Sequence, residues 1–281
     1  MSAGAVTVGP PDAPPVMLIH GLGGSYRVWD RLVPLIEPVA ARIYAVELES
    51  TASIDRDADD AAALIDTPTV LVGHSRGGLV ATAIAERHPG LARKLILVCP
   101  PWSLTSRLIA NRPIERALAV PGIGDLLWAL ASDARQRTAL HSAFAPATPV
   151  PDRFVADLRA RGRRNLIHSS RAIDDYLKTS PLADRLSNLT VPTDLVFAEY
   201  DARVATPHDE FSHLPHTHLT VLPGIGHTPP CEAPHHVAEL ITEQPRGGLP
   251  AAAPGARVQA GARRAAAAPA GGLPAGRRTA S

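Results

Sequence analysis

The chain has 281 residues, enough for one substantial domain with an insertion or for two small ones, and its 45% hydrophobic content supports a sizeable buried core. A net charge of +1 offers no global field to attract nucleic acid or an anionic membrane, so neither is expected as a partner. Cys99 and Cys231 make neither a disulfide framework nor a metal site. With no 18-residue apolar run and no basic-then-apolar N-terminus, no membrane span or secretion signal is visible, and the expected location is cytoplasmic.

In chain order, a Pro/Gly-containing lead-in with a short strand at 5–8 precedes a buried-strand pattern at 15–19. A helix is expected over 25–36, a strand over 42–48, a helix over 57–65 and a strand over 69–72. A helix over 76–87 and a strand over 94–99 follow. Alternation of this kind predicts an α/β fold, a mainly parallel doubly wound sheet with helices on both faces. Residues 101–189 break the pattern. Helical segments at 104–109, 114–120, 126–130, 154–158 and 170–177 are split by Pro113, Pro121, Pro146, Pro149 and Pro151. Strands resume at 193–198 and 219–222, and 234–243 reads as a closing helix. The expected organisation is a core in two parts, 1–100 and 190–243, with an insertion at 101–189. Residues 244–281 are Ala, Gly, Pro and Arg with almost no large side chain, and are expected to be disordered.

The most specific local signal is Gly73-His74-Ser75-Arg76-Gly77-Gly78, set between the β-branched run 69–72 and a helix-forming run. A serine displayed on so sharp a turn needs neighbours without a Cβ, and Gly73 and Gly77 supply them. Two further Gly-rich loops follow strand patterns: His20-Gly21-Leu22-Gly23-Gly24-Ser25 and Pro223-Gly224-Ile225-Gly226-His227. Glu199-Tyr200-Asp201 follows the strand at 193–198.

With these motifs in register over roughly residues 5–243, apart from a variable middle, the chain resembles the α/β-hydrolase family. The resemblance implies a nucleophile, acid, histidine order, which Ser75, Asp201 and His227 follow. Glu199 is the alternative acid, should the strand end earlier. The resemblance further implies an oxyanion hole from two backbone N–H groups, that of Arg76 and that of Leu22, with Gly23 as alternative. His20 is expected to hold the shape of its loop, and the insertion to be a helical cap over the site. Gly23, His74, Trp102 and Trp128 are the candidate pocket residues. Leu104, Ile109, Leu126, Leu127, Phe144 and Phe154 are further cap residues that either line the pocket or pack the cap on the core.

A serine in this place implies acyl transfer on an ester-type substrate, with no cofactor and no metal, and the aromatics and leucines of the insertion suggest that the substrate is small and apolar. It argues against branches of the family that attack with a carboxylate. The alternatives are C–C bond hydrolysis or cofactor-free peroxidation on the same residues, and a member that binds a small ligand without turnover.

Overall fold

The computed structural model describes residues 2–10, 13–40, 42–49, 53–108 and 112–243. The expectation of disorder at 244–281 lies outside the described residues.

Seven strands form one sheet: β1 (Ser2–Val8), β2 (Val16–Ile19), β3 (Arg42–Glu47), β4 (Thr69–His74), β5 (Ala92–Val98), β6 (Thr193–Ala198) and β7 (Thr217–Leu222). Their order across the sheet is β1-β3-β2-β4-β5-β6-β7. All pairs are parallel except β1 with β3, so the expected mainly parallel sheet is what forms, closed on one edge by an antiparallel strand. The central strands are apolar on both faces, as a sheet covered on both sides demands. Met17, Ile19, Leu71, Leu95 and Leu97 face one buried cluster, while Val16, Leu18, Val70, Val72, Ile96 and Val98 face the other. Each such side chain contributes about 1.5–3 kcal/mol on leaving water.

On the first face lie α2 (Ile54–Ala62) and α3 (Arg76–Arg87), joined by the C-terminal part of α7 (Asp152–Thr179) and by α8 (Leu182–Ser187). The other face is covered by α1 (Val33–Ile36) and α10 (Pro234–Thr242), with α9 (Pro229–Glu232) leading into α10. The expected helix over 25–36 is instead a 3-10 turn at Tyr26–Trp29 and the short α1. Pro34 lacks an N–H and is tolerated only in a first turn, so α1 starts afresh there.

Between β5 and β6 the chain forms α4 (Arg112–Ala119), α5 (Ile123–Leu130), α6 (Asp133–His141), α7 and α8. The stretch expected to be helical from residue 104 is a turn followed by an isolated bridge between Arg107 and Val204, and Ile109 lies outside the described residues. The segments expected at 154–158 and 170–177 lie in the two halves of α7, on either side of a break at Gly162, where φ is 77°. Among the described residues no helix is long and apolar enough to cross a membrane.

Candidate active site

Ser75 occupies the turn from β4 to α3 with φ 53° and ψ −120°, a conformation a residue with a Cβ adopts only under constraint. The constraint is local. A Cβ on Gly77 would run into the carbonyls of Ile19 and His20, and one on Gly73 into the backbone of Gly77. The Ser75 N–H donates to the Val98 carbonyl at 2.8 Å, which pins the turn to the end of β5.

His227 sits between β7 and α9. Its Nε2 is 2.9 Å from Ser75 Oγ and its Nδ1 is 2.7 Å from Asp201 Oδ2. With Nδ1–H donated to the carboxylate, Nε2 is left to accept the serine proton. The imidazole is held from two further sides. His74 Nε2–H donates to the His227 carbonyl at 2.8 Å, with the two rings 5.2 Å apart. Thr228 Oγ1 donates to the Ala143 carbonyl at 2.8 Å, tying the loop to the segment after α6.

Asp201 follows β6, and its side chain is 1% exposed. Burial alone would raise its carboxyl. The charge and hydrogen bond of His227, with N–H bonds from Val204 (2.9 Å) and Arg203 (2.7 Å), outweigh burial and hold it below the usual carboxylate range. Glu199 points elsewhere: it is exposed, and it accepts the Gly224 N–H at 2.8 Å, bracing the loop that leads to His227.

The loop at 20–25 passes against the serine, since a Cβ on Gly21 would lie 3.0 Å from Ser75 Cβ. Arg76 is the first residue of α3, and its N–H has no acceptor within its helix. His20 organises this loop. Its Nδ1–H donates to the Gly21 carbonyl (2.8 Å) and its Nε2 accepts the Leu48 N–H (3.1 Å). Burial, chiefly, lowers the pKa of both His20 and His74 to about 3, so both rings are neutral at pH 7. The Arg76 side chain turns away into a fully buried ion pair with Asp57 on α2.

The remaining candidates divide. Gly23 (φ 69°) lies beneath the insertion: a Cβ there would meet Leu158 Cδ1 at 3.1 Å and Leu166 Cδ1 at 3.7 Å. Trp102 packs on the core, with Nε1–H donating to the Ala205 carbonyl at 2.7 Å and its ring edge-on to Phe211. Trp128 is half-buried on α5. Phe144 and Phe154 stack edge to face at 5.0 Å, while Leu126 and Leu127 are exposed. Leu158 and Leu166, on either side of the break in α7, are side chains that no sequence pattern tied to the Gly23 loop.

Cys99 follows β5 with φ 48°, and its thiol lies within 4.8 Å of the facing atoms of Asp201 and His227. Burial, and then the Asp201 carboxylate, push that thiol well up, so it stays protonated beside the acid. Such a thiol is a poor metal ligand, and the other two groups are already bonded to each other. Cys231 is buried, and its carbonyl accepts from Arg31 at 2.9 Å. A cleft of 440 Å³ lined by Ser25, Tyr26, Arg27, Glu47, Asp157, Ala160 and Arg161 is charged and contains none of Ser75, Asp201 and His227.

Comparison with known proteins agrees with this fold. A Neisseria meningitidis serogroup B protein named pimeloyl-(acyl-carrier protein) methyl ester esterase is 31% identical over 252 residues, covering 83% of this chain and 93% of the relative. A serogroup A protein of the same name is 32% identical over 232 residues, covering 76% of this chain and 71% of the relative. Among solved structures, Cfl2 from Burkholderia cenocepacia superposes with a TM-score of 0.69 at 19% identity, over 83% of this chain and 88% of that one, a likeness of fold. The model of the alpha/beta hydrolase family matches residues 16–240. The chain is a member of the alpha/beta hydrolase family, among relatives that are ester hydrolases.

Proposed function

We propose that the chain hydrolyses a carboxylic ester of a small, apolar acyl group through an acyl-enzyme on Ser75. The observation that carries this reading is the unbroken run of two hydrogen bonds from Ser75 Oγ through His227 to Asp201.

In the first half-reaction His227 Nε2 takes the Ser75 proton as Oγ bonds to the ester carbonyl carbon. The carbonyl oxygen gains the negative charge, and the N–H groups of Arg76 and Leu22 donate to it, each contributing on the order of 3 kcal/mol. Collapse breaks the bond to the alkoxy oxygen, which leaves as an alcohol with the proton from His227. Water then attacks the acyl-enzyme while His227 takes its proton, and collapse breaks the bond from the acyl carbon to Oγ, which recovers that proton from His227 as the carboxylic acid leaves. Asp201 stays ionised throughout and stabilises the imidazolium that forms twice per cycle.

Substrate class follows from what surrounds Gly23. Leu158 and Leu166 offer aliphatic contact beside the oxyanion loop, which suits an aliphatic acyl chain. The Neisseria relatives are named for a methyl ester of an acyl chain, and the same small alcohol is proposed here.

The test is covalent labelling with a fluorophosphonate and peptide mass spectrometry, alongside Ser75→Ala on a series of methyl esters of increasing acyl length. An adduct on the peptide containing Ser75, and loss of turnover in a folded alanine variant, is the expected result. An adduct elsewhere, or undiminished turnover, overturns it.

A further inference from the structure

Helix α5 carries its apolar stripe on the outside. Ile123, Leu126, Leu127 and Leu130 recur at the i, i+3, i+4, i+7 spacing of one helix face. All four are exposed, at 57%, 60%, 44% and 61%. Val120, just before the helix, adds another 43%. The other side of the helix does the packing: Gly124 is buried, Asp125 accepts from Arg163 at 2.9 Å, and Trp128 is half-buried. A contiguous aliphatic face of this kind marks an interaction surface more often than chance exposure does.

Charge identifies what covers it. The net +1 conceals a division along the chain. Residues 101–189 carry thirteen Arg and Lys against eight Asp and Glu, while 1–100 and 190–243 together carry nine against nineteen. Arg116 and Arg135 are exposed on α4 and α6, the helices on either side of α5 in the chain, and Arg159 on α7 is exposed while paired with Asp133. A second copy docked through the same face would bring like charge against it. Residues 244–281 carry six arginines and no acid, so they are repelled from it too. An anionic partner remains. Four aliphatic side chains on a single exposed helix need no matching pocket in a bilayer, whose headgroup–acyl boundary accepts them in any arrangement. A protein partner would have to supply one.

We propose that α5, with the arginines around it, is a docking face for an anionic phospholipid surface. Ile123, Leu126, Leu127 and Leu130 enter the interface, and the arginines sit at the headgroup level. The acidic body is repelled from the same surface, which turns the insertion toward the lipid. This docking is independent of the chemistry assigned to Ser75.

The experiment is co-sedimentation of the full-length chain with phosphatidylglycerol–phosphatidylcholine vesicles and with phosphatidylcholine vesicles. Binding at least tenfold tighter to the anionic vesicles, and weakened by salt, is expected. The Ile123→Glu/Leu130→Glu double variant should lose tenfold or more of that binding with its thermal midpoint unchanged. Should the pair destabilise the fold, Leu130→Glu alone gives the same readout. Equal sedimentation of the variant would assign binding to the arginine-rich C-terminal segment and overturn the proposal. So would failure of the unaltered chain to sediment, or a dimer that the variant dissolves. Capture by calcium-loaded calmodulin without vesicle binding would replace the lipid with an acidic protein.

Discussion

Asp157 on α7 accepts the Ser25 hydroxyl at 2.7 Å across 132 positions of sequence, joining the insertion to the loop that carries Leu22 and Gly23. Asp157 is buried and also pairs with Arg27. One turn further along, Arg161 donates to the carbonyls of Gly24 (3.0 Å) and Leu48 (2.6 Å) and pairs with Glu47, which itself accepts the Tyr26 N–H. The loop at 20–26 is therefore fixed from above as well as by His20 from below.

Arg161→Met keeps the aliphatic stem and removes every one of those donors. The expected result is a fall in kcat of about tenfold to a hundredfold, because oxyanion donors displaced by a fraction of an ångström lose much of their effect. KM should change less. Steady-state kinetics on one ester, read beside the thermal midpoint, check this. A lowered midpoint with unchanged kcat at 20 °C would leave Arg161 a stabilising residue only.

The Asp57–Arg76 ion pair is fully buried, with side chains 0% and 1% exposed. Asp57→Ala leaves a guanidinium uncompensated in the interior, and should cost about 3–5 kcal/mol in denaturant unfolding. Replacing both partners, Asp57→Leu with Arg76→Met, should cost less than Asp57→Ala alone. Activity at low temperature should survive in the double variant, since only the backbone N–H of residue 76 is asked to act on the substrate.

Acid should destabilise the fold earlier than carboxylate titration alone would. His20 and His74 have pKa values lowered to about 3, so in the folded state they stay neutral while the unfolded chain takes up protons below 6.5. Stability is therefore full above pH 6.5 and is lost progressively as pH falls toward 3. Asp201, whose carboxyl is held low, adds a further loss at the acid end. Thermal midpoints measured from pH 7 to pH 4 should fall steeply, and the slope should be shallower in His74→Gln. An equal slope in that variant would place the proton uptake elsewhere.

What was legible in the sequence is what local chemistry punctuates. Gly73 and Gly77 are readable because no other residue fits those two positions, and the three Gly-rich loops follow strand patterns that end where the sheet ends. The acid was harder. Glu199 and Asp201 are two residues apart, and only the third dimension separates an exposed carboxylate braced on Gly224 from a buried one on His227. Helix limits failed where apolar period misleads: α6 is polar almost throughout, and the two halves of α7 extend well past the apolar stretches on either side of the break at Gly162. The Asp157–Ser25 bond left no trace, since Ser25 closes a Gly-rich loop but Asp157 belongs to no motif, and their meeting depends on how α7 docks.

Asp201→Asn and Glu199→Gln separate the two acids by experiment. Asp201 accepts three hydrogen bonds and faces Nδ1 of His227, so an amide there can donate to the imidazole and hold it with the wrong nitrogen protonated. Turnover should drop by several orders of magnitude, about 10⁴ in well-studied triads, with the fold intact. Glu199→Gln keeps an acceptor for the Gly224 N–H and leaves His227 untouched, so its kcat should stay within about threefold of the parent, in keeping with the loss of one exposed, weak interaction. Both variants are measured on the same methyl ester, with circular dichroism as the check on folding. If Glu199→Gln is the crippled one, the loop after β6 rearranges on substrate binding and Asp201 is a turn residue capping Arg203 and Val204.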